Sequence, residues 1–363
     1  MNPWPARVAV FAALTSGCTA SYVAAIAPED EANSSSGSGS SGPTDSDTND
    51  TLGSSDSSGE AGCELPQPLP GCDGAADPLR APEIACYDGI AAARFESLEP
   101  SAWRRAREFG NATWVSAESE AVLVLSTGVL PEAGLVGEVN VDGSAGEFAS
   151  VNNENPDGVS SLPAGIVATP ASASGTPYVD CDGVGDCSGT LQAAFVGAAD
   201  DLVWFTFDAT VPTGARGYDV SVGFLSAEYP EAIGSDATDL FVWWHESQDY
   251  VGNLATWQGD AATVTGLAPR MHEFTGGHPM LLRTGMDGWT GAPCEANGQG
   301  ADCPVGSATG WMQLRGPAVP GETIHLVAAL FDQGPLDRDT VVVLDGFEWT
   351  CDACVPGESC GLQ

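Results

Sequence analysis

Apolar and polar residues follow one another along this chain in short runs, not in long helical stripes. Segments 121–125, 202–207, 218–225, 240–244, 324–331 and 340–344 are apolar runs bounded by Gly, Pro, Asn and Asp. In Tyr218-Asp-Val-Ser-Val-Gly-Phe224 the residues at 218, 220, 222 and 224 share one face, the period of a half-buried strand. Strand runs separated by turn residues predict an all-β fold of the β-sandwich or jelly-roll type. A minor helical component is expected at 100–109, with Ser101 as its N-cap.

The first 62 residues follow a different pattern. Arg7, the apolar run 8–14 and Thr15-Ser16-Gly17-Cys18 describe a signal peptide over 1–17, with an apolar run too short to span a bilayer. The last residues before Cys18 resemble a bacterial lipobox, in which the cysteine thiol takes a lipid. Leu14 stands one place early for that pattern, and Thr15 holds its usual position. Two readings follow: lipidation at Cys18, or cleavage near 24–27 and secretion. Thr19 after the cysteine, where Asp is absent, is the outer-membrane form of a Gram-negative lipoprotein. Residues 18–62 then read as a lipid-tethered, disordered linker rich in Ser, Gly and Asp, because so few apolar side chains cannot offset chain entropy. Residues 63–363 are left as the folded β domain with Cys-rich ends.

Charge narrows the range of partners. Asp and Glu number 50 against 11 basic residues, all Arg, for a formal net charge of −39. Such a field repels phosphate backbones and anionic headgroups, so no nucleic acid is expected and the membrane is reached only through the lipid anchor. Cations suit it, although an acidic surface also serves solubility alone. Of the 11 cysteines, ten remain once Cys18 is set aside, an even set that suits an oxidising compartment. Cys181 with Cys187 and Cys294 with Cys303 are close enough to close local loops. Cys63, Cys72 and Cys86 are expected to meet Cys351, Cys354 and Cys360, with the pairing inside that group left open.

Several segments carry a resemblance. Val122-Leu-Val-Leu-Ser-Thr-Gly128 resembles a strand and turn near the start of the choice-of-anchor L domain family. Phe224-Leu-Ser-Ala-Glu-Tyr-Pro-Glu231 and Gly234-Ser-Asp-Ala-Thr-Asp-Leu-Phe241 resemble its central signature. Segments 320–332 and 336–345 are similar to its closing strands. The linker and the Cys351-x-x-Cys354 tail also resemble surface lipoproteins of myxobacterial type. The match runs in order over residues 86–351. It implies a surface module found with varied anchoring signals and without an established enzymatic activity, and it does not reach a ligand. Thr238-Asp239 stands where the family has Asn-Asp, and Asp339-Thr340 where it has Asp-Ser.

Carboxylates gather in the matched segments: Glu228, Glu231, Asp236, Asp239, Asp332, Asp337, Asp339 and Asp345. Calcium takes six to eight oxygen ligands, which acidic turns can supply. The sharpest expectation is one structural Ca²⁺ held by some of Glu228, Asp239, Asp332 and Asp337, against the plainer reading that these are turn formers and solvated charges. Trp244 and Trp257 offer a carbohydrate-stacking surface as a second functional class. Catalysis has less behind it, since there is no Gly-x-Ser-x-Gly and the four histidines form no hydrolase pattern. The function expected is therefore a non-catalytic cell-surface lipoprotein for adhesion, structure or binding of an extracellular ligand. A carbohydrate-binding module is the alternative, and a secreted hydrolase the third choice.

Overall fold

The computed structural model describes residues 63–72, 77–97, 102–109, 113–116, 121–128, 130, 161–168, 189–197, 199–230, 232–235, 238–275, 280–281, 284, 304–333 and 339–363. Residues 1–62, with the signal and linker expectations and Cys18, lie outside them. So do Cys181, Cys187, Cys294, Cys303 and Asp337. The strands of the first half are β1 (Ile90–Ser97), β2 (Trp103–Ala106), β3 (Glu108–Phe109), β4 (Trp114–Val115), β5 (Val122–Ser126), β6 (Asp200–Thr210), β7 (Gly217–Ser226) and β8 (Leu240–Glu246). The second half adds β9 (Val251–Asn253), β10 (Thr256–Trp257), β11 (Asp260–Ala261), β12 (His272–Thr275), β13 (Pro304–Pro317), β14 (Thr323–Asp332), β15 (Thr340–Thr350) and β16 (Gly361–Leu362). The α-helix among the described residues is one turn, α1 (Gly189–Gln192). None is long and apolar enough to cross a membrane.

Two antiparallel sheets face one another. One has the order β1-β6-β14-β8-β9, and the other runs β12-β13-β7-β15-β5-β2 with β16 added against β13. Their inner faces meet in one core, with Phe205, Phe207, Trp243 and Leu326 from the first and Tyr218, Val222, Leu314 and Leu344 from the second. This is the expected all-β sandwich. Tyr218, Val220, Val222 and Phe224 all join that core, as their alternation predicts.

Elsewhere the runs are continuously apolar because both faces of a sheet are covered. Val342 and Leu344 point into the inter-sheet core, whereas Val341 and Val343 belong to an outer cluster with Phe109 and Trp114. Trp114 lies on the sheet at Gly223, where an added Cβ would come within 2.2 Å of the indole. Its Nε1 donates to the Met280 carbonyl at 2.9 Å. On the far side of the first sheet a third cluster places Ile166 and Leu191 with Val242, Trp244 and Ala329.

Three expectations are corrected here. Within the segment expected to be a helix at 100–109, residues 102–109 are not one, since they supply β2 and β3. β2 completes the open edge of β5, pairing Trp103 with Leu125 and Ala106 with Val122, so backbone partners in the sheet override local helical preference. Trp103 then packs 4.8 Å from Phe95 between ring centroids. The six terminal cysteines do not all join the two ends. Cys63–Cys351 does so, but Cys72–Cys86 and Cys354–Cys360 are local. The chain folds back on itself at each place, with Leu69 N–H bonded to the Cys86 carbonyl at 2.8 Å and Cys360 N–H to the Val355 carbonyl at 3.0 Å. The third correction concerns Trp244, which is fully buried in the outer cluster beside its equally buried neighbour Trp243. It offers no exposed platform for a sugar. Trp257 is half-buried against the main core.

Candidate functional site

At one end of the sandwich the ends of four strands bring carboxylates together. Glu228 follows β7 and Asp339 precedes β15 in one sheet. Asp239 precedes β8 and Asp332 ends β14 in the other. Glu228 and Asp239 are 0% exposed, Asp339 6% and Asp332 9%. Two hydroxyl turns hold the approach. Ser126 Oγ accepts from Gly128 N–H at 2.9 Å, and Ser226 Oγ accepts from Glu228 N–H at 3.0 Å. Thr340 then ties them together, its N–H donating to Thr127 Oγ1 at 2.9 Å and its hydroxyl to Ser226 Oγ at 3.0 Å.

Asp239 sits at the centre of this network. Its N–H donates to Glu228 Oε2 at 3.1 Å, and its Oδ2 accepts from Thr127 Oγ1 at 2.8 Å. Its Oδ1 is buried and has no hydrogen-bond partner among the described residues. Burial holds the Asp239 carboxyl well above the ordinary aspartate range. The nearby charges of Glu228, Asp332 and Asp339 push the same way, and the Thr127 hydroxyl opposes them. A buried carboxylate among like charges is costly unless a proton or a cation neutralises it. All the donors here are oxygens, the set a hard cation takes.

Three of the four expected calcium ligands, Glu228, Asp239 and Asp332, therefore share this end of the fold, and Asp339 joins them. Asp345 does not, since six residues along β15 separate it from Asp339 by about 20 Å. Among the described residues no three His, Cys, Asp or Glu side chains already stand at metal-ligand spacing. One contributor has no sequence signal. Gln333 donates from Nε2 to the Ala194 carbonyl at 2.8 Å and to the Thr238 carbonyl at 3.0 Å, and its Oε1 accepts from Val196 N–H at 3.0 Å. A lone Gln after a strand is legible only once its three partners have been folded around it.

A second polar group lies on the outer face of the first sheet. Asp208 on β6 and His325 on β14 are register partners, and Asp208 Oδ1 stands 2.7 Å from His325 Nδ1. His325 Nε2 is 3.3 Å from Thr206 Oγ1, an order of groups that superficially matches an acid, a base and a nucleophile. The Thr206 hydroxyl, however, donates to the Leu326 carbonyl at 2.9 Å, which directs its proton to the backbone and away from His325. The Cys351-x-x-Cys354 thiols are likewise engaged, each in a disulfide.

No protein-family model and no curated protein matches the chain.

Proposed function

We propose that this chain is an exported, non-catalytic surface module of the choice-of-anchor L type, tethered through Cys18, whose sandwich is closed at one end by a calcium ion. The observation that carries the calcium reading is Asp239 Oδ1, a fully buried acceptor without a partner among the described residues, set among carboxylates from both sheets. A divalent cation there would balance the charge and link β7 and β15 to β8 and β14. Because the carboxylates do not already stand at ligand spacing, side-chain rotation must accompany binding. Three disulfides suit an oxidising extracellular setting. The direction of the Thr206 hydroxyl speaks against a triad at His325.

The test is thermal unfolding of the oxidised protein in calcium and in chelator. At 100 times the dissociation constant, a ligand specific for the folded state contributes about 2.7 kcal/mol, a rise of several degrees in Tm. Asp239→Asn keeps an acceptor for Thr127 and removes a charge. It is expected to lose the calcium response, yet to match or exceed the wild type in chelator, because a desolvated charge has gone. A wild-type midpoint indifferent to calcium, or a calcium response that survives in Asp239→Asn, overturns the reading.

A further inference from the structure

Beside the acidic end of the sandwich lies a cavity of about 270 Å³. It is walled by the α1 turn, the loop before β8, and the hairpin and turn around β11. We infer that this cavity is a binding site for a single sugar ring that carries no negative charge. The hairpin joining β10 to β11 turns through Gln258 and Gly259, both with positive φ (54° and 94°), and Asp260 follows the turn, paired with Trp257. Asp260 is exposed and lines the cavity, and its carboxylate is an acceptor for a pair of neighbouring hydroxyls.

The turn that packs against β11 supplies hydroxyls beside it, since a Cβ on Gly266 would lie 3.2 Å from Asp260 Cβ. Thr263 Oγ1 accepts from Gly266 N–H at 3.1 Å, and Thr265 Oγ1 accepts from Gly234 N–H at 2.9 Å. Each bond fixes the position of the oxygen and leaves the hydroxyl proton to donate, the combination that an alcohol or ring oxygen requires. Ala193, Ala194 and Ala261 contribute methyl groups to the same cavity, against which the C–H face of a ring can rest. The volume lies just under the roughly 300 Å³ at which pockets for drug-sized ligands begin, so it admits about one ring and not an extended chain. With a net charge of −39 on the chain and Asp260 at the rim, anionic sugars are excluded in favour of neutral or aminated ones. Polar recognition of one ring relocates the carbohydrate reading from Trp244, which is buried, to residues that no motif singles out.

This inference deepens the surface-module reading and does not rest on the calcium ion. Its test is NMR of the oxidised protein with labelled alanine and threonine methyls, titrated separately with glucose, galactose, mannose, glucosamine and glucuronate, in calcium and in chelator. At least one uncharged or aminated sugar is expected to shift the methyls of Ala193, Ala261, Thr263 and Thr265, with millimolar affinity, while glucuronate does not. Ala193→Trp, at an exposed position, fills the cavity and is expected to abolish the shifts. Asp260→Ala is expected to weaken binding at least tenfold. Shifts absent for every sugar at about 100 mM, far above the affinity of a ligand this small, overturn the inference, as do shifts that persist in Ala193→Trp. A protein that fails the calcium test but shows these shifts keeps its sugar site and loses only its ion.

Discussion

Acidification from pH 7 to pH 5 is expected to destabilise this protein by about 2 kcal/mol through a single buried side chain, His245. Its ring lies in the inter-sheet core, stacked 5.8 Å from Tyr218 between centroids and tilted 5.9 Å from Tyr250. Trp243 Nε1 donates to Tyr218 Oη at 3.1 Å, and Tyr218 Oη stands 3.0 Å from His245 Nδ1. Burial raises the tyrosine hydroxyl above its ordinary range, so it keeps its proton in the core. The imidazole is neutral at pH 7, and its Nε2 finds no partner among the described residues. Loss of solvation lowers the pKa from 6.5 to about 3. The unfolded chain thus takes up a proton between those values that the folded chain refuses. Stability from this group is complete above pH 6.5 and falls progressively towards pH 3.

At pH 5 the unfolded imidazole is almost fully protonated and the folded one almost fully neutral, which is the source of the 2 kcal/mol. Urea unfolding of the oxidised protein at the two pH values measures it, and His245→Asn is the control. Asn can still hydrogen-bond with Tyr218 but does not titrate, so its absolute stability falls through lost packing while its acid loss shrinks. The difference in acid loss between wild type and variant is the quantity to compare, because the other titrating groups cancel in it. Equal acid losses would refute the argument and mean that His245 is solvated or protonated in the folded state. Tyr218→Phe retains the imidazole and is expected to retain the pH dependence.

Gly223→Ala is expected to cost roughly 1–3 kcal/mol, since the new methyl would overlap the Trp114 indole, and much less in a Trp114→Ala background; urea denaturation of the four-membered set measures the coupling. Of the three described disulfides, Cys63–Cys351 closes by far the longest stretch, with sequence separations of 288, 14 and 6. Double Cys→Ser replacement there is expected to cost about 5 kcal/mol, against about 3 for Cys72–Cys86 and about 2 for Cys354–Cys360, an order readable in Tm. Cys18→Ser, expressed in a Gram-negative host fed radiolabelled palmitate, is expected to lose the label and move the protein out of the membrane fraction. An unlabelled wild type would refute lipidation.

The six apolar runs of the sequence all became strands, and the face shared by Tyr218, Val220, Val222 and Phe224 faces the core. Period and turn chemistry are local properties, so they could be read from neighbouring residues alone. β1 and β13 were harder to read. β1 starts with three exposed alanines after Ile90, and β13 is broken by glycines and a register shift near Gly310. The acidic turns were legible as a set, and Glu228, Asp239 and Asp332 do come together, because the ends of neighbouring strands gather at one end of the sandwich.

What the sequence by itself determined, then, is the strand set, the core face of β7 and the acidic character of one end. Only the tertiary structure decided that 103–106 pairs with β5 as a strand, that Cys72 closes onto Cys86 instead of crossing to the far end, and that Trp244 is covered. It also decided that Gln333 bridges Ala194 and Thr238 and that Thr263 and Thr265 line a cavity with Asp260. Each of these depends on which distant segment occupies a neighbouring position, and that is fixed by closure of the two sheets around a common core, not by the residues on either side.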